Sequence, residues 1–251
     1  MHHLAAYYTA APTAAALTQL NAVREEMFFT NGVDLRVPKP LTHLIGESAL
    51  SVNAMTQAQV QSPSLRAIAN LDIEPCVSGA IIYADPFESV MHPEAPIPLV
   101  EDESLNLAVN AAAAAAACYG LVWLADGPPQ PVTGPMVQIR ATATITGVVG
   151  AWTNGNLAMA QSLPAGRYAV VGLRARGASL IAARLIFPEQ QARPGVMAVN
   201  AVGNGDYYWN RAGRLGVLGE FPHTNPPTVD ILDGTGGALA YVFILDLIRV
   251  K

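Results

Sequence analysis

A chain of 251 residues with 51% apolar and 13% charged residues is long enough to bury a large core, but its charge content is about half that of an ordinary soluble domain. Either a membrane or other subunits must cover much of such a surface. Cys76 and Cys118 are the only cysteines, which excludes a disulfide framework and a zinc site and leaves two small buried hydrophobes as the reading.

The one candidate membrane span, residues 104–125, carries no charge over 22 residues, but seven of them are the consecutive alanines 111–117 and Asn106, Asn110 and Gly120 interrupt the rest. That leaves too little transfer energy for a spanning helix, so no membrane span is expected. The start, Met1-His2-His3-Leu4, lacks the basic and apolar regions of a secretory signal. Charge is unevenly divided: residues 1–130 hold 4 basic and 13 acidic side chains, a balance of −9, and residues 131–251 hold 10 basic and 6 acidic, a balance of +4. No Lys or Arg lies between Arg66 and Arg140, so one half of the chain is suited to attract the other half of a neighbouring copy. Twelve of the 14 basic residues are arginine, the cation enriched in protein interfaces.

In chain order, Pro12 to Phe28 reads as an amphipathic helix capped by Thr13, with Leu17, Leu20, Val23 and Met27 at helical spacing. Residues 1–31 are thus expected to be an N-terminal helical arm. Residues 32–117 read as an extended, proline-rich segment with short strands at 33–37, 41–45, 49–55 and 79–84, and a brief helix opened by Ser62-Pro63-Ser64. A second helix is predicted over 102–117, its acids Glu101, Asp102 and Glu103 at the N-terminus where the helix dipole favours them.

From residue 118 onward the pattern is β. Leu121–Leu124 is a buried strand. Val137, Ile139, Ala141, Ala143 and Ile145 alternate with Gln138, Arg140, Thr142, Thr144 and Thr146, the period of two that a half-buried strand requires. Tyr168–Arg176 and Leu180–Phe187 read as a hairpin turning at Gly177, followed by strands at 195–202, 215–218 and 228–232. The run 238–250, apolar on both faces as far as Leu245, reads as a central strand. The expected fold is mainly β, a jelly roll or β-sandwich over 118–251, with an N-terminal helical arm and one further α-helix. Strand signals before residue 118 are too few for a second such unit, and no internal repeat is visible.

Motifs that would carry catalysis are missing. The histidines lack metal-ligand spacing, no Ser sits in a nucleophile elbow, and Cys118 lacks helix-N-terminus activation. No enzyme activity, cofactor or metal is expected. Asp233-Gly234-Thr235-Gly236-Gly237 with Asp230 offers too few carboxylates for Ca²⁺ and reads as a turn. Asp246 is expected to face Arg140 or Arg184. Candidate interface or ligand contacts are Arg174 and Arg176 on one strand face, the aromatic run Tyr207, Tyr208 and Trp209, and His223 in its proline-rich loop. Without lysine runs, and with a net charge of −5, direct nucleic-acid binding is not expected.

The strand series from Leu121 to Val250, with turns at Gly127-Pro128-Pro129, Gly177 and Asp233-Gly234 and an arm before it, resembles the jelly-roll coat proteins of icosahedral viruses. The resemblance covers about half of the chain. It implies a capsid subunit that assembles with other copies of itself and with other virion proteins, in the host cytoplasm and then in the virion. A carbohydrate- or ligand-binding sandwich using Tyr207, Tyr208 and Trp209 is the alternative.

Overall fold

The computed structural model describes residues 1–25, 28–51, 55–66, 71–73, 76–77, 89–198 and 213–250. The chain divides into an N-terminal unit, Ala5–Pro128, and a C-terminal unit, Pro129–Lys251 together with Met1–Leu4. Both are built from mainly antiparallel sheets, the pairing of residues 50–51 with 76–77 in the N-terminal unit being parallel.

The N-terminal unit contains β1 (His2–Thr9), β2 (Leu17–Gln19), β3 (Asn21–Ala22), β4 (Thr30–Asn31), β5 (Asp34–Arg36), β6 (His43–Ser51) and β7 (Met55–Gln61), then helix α1 (Pro63–Arg66). It continues with β8 (Leu71–Ile73), β9 (Cys76–Val77), β10 (Ser89–Met91), β11 (Ile97–Pro98), β12 (Ser104–Ala111) and β13 (Cys118–Ala125). One sheet runs β10-β6-β13-β1-β3, with β9 and β11 also on β6; the other runs β4-β5-β12-β7-β8, with β2 also on β12. The two sheets meet through tight contacts. A Cβ on Gly120 of β13 would stand 2.5 Å from Leu107 Cδ1 of β12, so glycine there permits the close approach. The Tyr7 hydroxyl donates to the Leu105 carbonyl at 2.7 Å, and burial, then the charge of Asp34, push its pKa far up.

Two expected helices are replaced by strands. Over Pro12–Phe28 the chain forms β2 and β3 because its amides bond elsewhere: Leu20 N–H donates to Leu107 O and Val23 N–H to Ala6 O, both at 2.8 Å. Ala15, at φ 53°, would also interrupt any helix. Over 104–117 the chain forms β12 and then a turn region. Leu105, Leu107 and Val109 alternate with Asn106 and Ala108, and partners on both sides, β7 and β5 with β2, outweigh the helix propensity of the alanines. The brief helix opened at Ser62, expected to run through Leu71, forms over Pro63–Arg66, and Leu71 instead begins β8. Ser62 Oγ accepts from Leu65 N–H at 3.2 Å, and the Glu103 carboxylate accepts from both Ser64 N–H and Ser64 Oγ, so the acid read as a helix start caps α1 instead.

Glu47 on β6 is 1% exposed and bonds His92 Nε2 at 2.9 Å, while His92 Nδ1 lies 3.3 Å from the Ala95 carbonyl. Burial lowers the pKa of His92, but the hydrogen bond and charge of Glu47, with the Ala95 carbonyl, outweigh it and the net direction is up. A pKa raised in the folded state gives stability that is fully present below the unfolded value of about 6.5 and is lost as pH rises through the folded value. The thermal-midpoint gap between wild type and His92→Gln is therefore expected to be widest below the unfolded value of about 6.5 and to narrow as pH rises above it. A gap constant across that range would show that the pair contributes no charge-dependent stability. Cys118 is a buried thiol 3.5 Å from Ser51 Oγ, and burial pushes its pKa up, as befits a packed hydrophobe.

The C-terminal unit contains β14 (Met136–Gly147), β15 (Trp152–Asn156), β16 (Ala158–Met159), β17 (Arg167–Arg176), β18 (Leu180–Ile186), β19 (Gly195–Met197), β20 (Gly219–Pro222), β21 (Thr228–Asp233) and β22 (Gly237–Arg249). Its sheets run β16-β14-β22-β17-β20 and β15-β21-β18-β19. The expected hairpin at Gly177 is absent: β17 and β18 lie in different sheets, and the glycine is the corner between them, where a Cβ would meet the Tyr241 ring at 2.5 Å. The run read as a central strand is one, β22 lying between β14 and β17. The strand expected at 215–218 is irregular backbone, with β20 starting at Gly219. The expected strand at 79–84 lies outside the described residues, as does the end of the one at 195–202.

A common plan underlies both units. In the C-terminal unit the first strand pairs the last, the last pairs β17 and β17 pairs β20; in the N-terminal unit β1 pairs β13, β13 pairs β6 and β6 pairs β10. The second sheets correspond as β15-β21-β18-β19 and β2/β5-β12-β7-β8. With eight principal strands numbered along either unit, the orders are 1-8-3-6 and 2-7-4-5 in both. Among the described residues twelve strands begin before residue 118, where few were expected.

Candidate assembly surface

The outer face of the five-stranded sheet in the C-terminal unit is set by β14. Ile139, Ala141, Ala143 and Ile145 turn inward and are at most 5% exposed, which leaves Gln138, Arg140, Thr142, Thr144 and Thr146 all exposed on the other side. The register carries this face across two more strands. Arg140 opposes Ile244 of β22, which opposes Arg174 of β17; Thr142 opposes Val242, which opposes Arg176. Two half-buried aliphatic side chains thus lie between three arginines and a threonine row. Neighbouring strands lie about 4.8 Å apart, so Arg140 and Arg174 are about 10 Å apart across the sheet.

Among the described residues the carboxylates of this face are Asp246 and Glu220, the latter in the row Met136, Ile248, Ala169, Glu220 and paired with Arg167 at 2.8 Å. Asp246 is 1% exposed, with Oδ1 accepting from Gln138 Nε2 at 2.9 Å; the expected pairing with Arg140 or Arg184 does not occur. The local sequence offers both arginines, but Arg184 sits in the other sheet and is taken by Asp230. Elsewhere in the unit, Arg167, Arg184 and Arg193 are paired. Arg167 lies 2.8 Å from both Glu189 and Glu220, and Arg184 and Arg193 both bond Asp230 Oδ2, at 2.9 and 3.1 Å. Arg140 and Arg176 make no ion pair among the described residues.

The Asp230 cluster is a buried structural network. Arg184, 1% exposed, lies with its guanidinium 4.1 Å from the centre of the Trp152 ring and donates to the Leu4 carbonyl at 3.2 Å. Arg193 N–H donates to His3 Nδ1 at 2.9 Å. At the turn between β21 and β22, Asp233 accepts from the amides of Thr235 and Gly236 and from the hydroxyls of Ser179 and Tyr241. Burial, then the bond to Asp233 and its charge, push the Tyr241 pKa up. Asp230 and Asp233 spend their oxygens on separate sets of donors, which is the turn reading of this loop. Among the described residues no three His, Cys, Asp or Glu side chains converge as a metal site would require.

Of the sequence-predicted site residues, Arg174 and Arg176 come together on this face, joined by Arg140 and Thr142. The signal for those two was the same period of two, but placing them beside Arg174 requires knowing that β22 lies between β14 and β17. His223 is elsewhere: exposed, with its Nδ1 accepting from Gly166 N–H at 3.2 Å, it edges an open cleft of about 320 Å³ with Gln161, Ser162 and Thr224. Tyr207, Tyr208 and Trp209 lie outside the described residues.

No family model and no curated protein matches the chain. Among solved structures the chain is similar to the major capsid protein P2 from bacteriophage PM2, at 10% identity and a TM-score of 0.26, over 100% of this chain and 98% of that one. Among the described residues no helix is long and apolar enough to cross a membrane.

The N-terminal unit presents a different outer face, on its six-stranded sheet. Gln19 donates to Gln61, Gln61 to Gln59 and Gln59 to Asp72, over 3.3, 3.3 and 2.7 Å, and Ser104 bonds Asp34. Those side chains pair with one another, whereas Arg140 and Arg176 make no ion pair among the described residues.

Proposed function

We propose that the chain is a subunit of a self-assembling protein shell, of the kind from which a virion coat is built, and that each of its two units is a jelly roll. The recurrent strand order carries the reading. Orders 1-8-3-6 and 2-7-4-5 in two antiparallel sheets, with first and last strands paired, are those of a jelly roll, an architecture used by viral coats among others. Lectins and metal-dependent enzymes share the architecture, so the surface has to choose between them. A charged content of 13% and the exposed apolar side chains Phe29, Val100 and Val137 suit a chain covered by neighbours. In this reading the protein performs no catalysis, its partners are other copies and other virion proteins, and it resides in the virion after assembly in the host cytoplasm.

The test is light scattering with negative-stain imaging of purified protein across salt and pH. Closed particles or large symmetric rings are expected. A monomer persisting at high concentration under every condition would overturn the proposal and favour a ligand-binding sandwich.

A further inference from the structure

We infer that the arginine-flanked sheet face of the C-terminal unit docks on the acidic end of the N-terminal unit of a second copy; this rests on the self-assembly reading and names the contact. Three observations define the donor face. Val242 and Ile244 form a half-buried aliphatic centre, Arg140, Arg174 and Arg176 flank it, and among the described residues the carboxylates of the same sheet face are Asp246, which is buried, and Glu220, which is paired with Arg167. An apolar centre with a charged rim is the anatomy of a protein interface.

The acceptor is an end of the N-terminal unit where three connections meet. Leu99 N–H donates to Thr42 O at 2.8 Å, Asp102 N–H to Val37 O at 3.0 Å, and Ala125 opposes His43 in the register of β13 and β6. These bonds gather residues 37–42, 99–103 and 126 at one end. Val100, 62% exposed, stands there beside the exposed carboxylates of Glu101, Asp102 and Asp126. Opposing charge comes from Arg36, whose Nη1 bonds the Asp102 carbonyl, and from Lys39, 3.6 Å from Glu101 in an exposed and therefore weak pair. The acceptor thus repeats the donor in opposite sign: an aliphatic centre inside a rim that is acidic where the donor's is basic. A polyanion would also suit three arginines, but the balance of −9 over residues 1–130 gives every copy a carboxylate-rich half to offer this face, so a second copy is the partner that the sequence itself supplies. Because donor and acceptor are different patches, the contact is heterologous and extends into rings or closed shells.

Charge exchange tests it. Arg140→Glu/Arg176→Glu reverses the donor and Glu101→Lys/Asp126→Lys the acceptor; all four positions are exposed, and circular dichroism and thermal midpoints would verify folding, with single substitutions as the fallback. Each reversed protein alone is expected to need at least about 100-fold more protein to assemble than wild type, since like charges then face each other. An equimolar mixture of the two is expected to assemble near the wild-type concentration, because each reversed donor then meets a reversed acceptor. Wild-type assembly together with unimpaired assembly of the reversed donor, or with a mixture no better than its components, would overturn the inference while leaving self-assembly standing. Wild-type assembly only on addition of nucleic acid would overturn it in favour of a polyanion on the arginine face. A wild type that never assembles would remove the reading beneath both.

Discussion

Asp230→Leu is expected to destabilise the C-terminal unit by about 3–5 kcal/mol, because it leaves buried guanidinium charge without a counter-charge. Asp230 is 3% exposed and its Oδ2 serves both Arg184 Nε at 2.9 Å and Arg193 Nη1 at 3.1 Å, while Oδ1 accepts from Asn154 Nδ2 at 3.1 Å. An arginine cannot shed its proton to escape such a site. Arg184 keeps the Trp152 ring, the Leu4 carbonyl and a 3.5 Å approach to His3 Nε2, none of which is a counter-charge, and a cation–π contact supplies only about 2 kcal/mol even when desolvated. The double variant Arg184→Met/Asp230→Leu removes the deepest charge along with its partner and is expected to recover at least about half of the loss, since apolar replacements of a buried pair are often neutral. Urea unfolding followed by tryptophan fluorescence reads both, with Trp152 at the network. A double variant as unstable as Asp230→Leu alone would assign the loss to packing.

This network also shows where sequence reading stops. The period of two in 137–146 announced β14 and its two faces, and the doubly apolar run at 238–250 announced a central strand, because those signals are local. Arg184 and Asp230 are 46 residues apart and His3 and Arg193 are 190 apart, and no local pattern encodes such pairs. The same holds for strand order. β1 meets β13 across more than a hundred residues, so the plan common to both units leaves no repeat in the amino acids. The helices expected at Pro12–Phe28 and 102–117 failed for one shared reason. Leu17, Leu20 and Val23 fell at helical spacing only by accident of a folded-back loop, and the alanines promised propensity without a face to bury; sheet partners decided both cases. Period two was present in Leu105, Leu107 and Val109 but is short enough to be masked by the alanines that follow. Of the candidate surface, Arg174 and Arg176 were legible from spacing, whereas its breadth, and Arg140 in it, depended on β22.

A chain beginning at Ala5 is expected to lose on the order of 5 kcal/mol from the C-terminal unit, comparable to the whole stability of many domains. His2, His3 and Leu4 are each at most 2% exposed, and Met1–Leu4 belongs to the C-terminal unit although the chain continues from Ala5 in the other. Leu4 contributes about 2 kcal/mol by burial, and its packing is close, since a Cβ on Gly195 would stand 2.7 Å from Leu4 Cδ2. Its carbonyl is an acceptor for Arg184, its N–H donates to Arg193 O at 3.0 Å, and His3 accepts from Arg193 N–H. Each buried partner left unsatisfied costs about 1–3 kcal/mol. The loss should appear as a lower urea midpoint and faster proteolysis within 129–251, with His3→Ala and Leu4→Ala giving graded fractions of it. Because the arginine-flanked face is built on the same unit, the truncated chain should also assemble poorly while the surface residues themselves are untouched. An unchanged midpoint would mean that residues 1–4 rest on the unit without stabilising it.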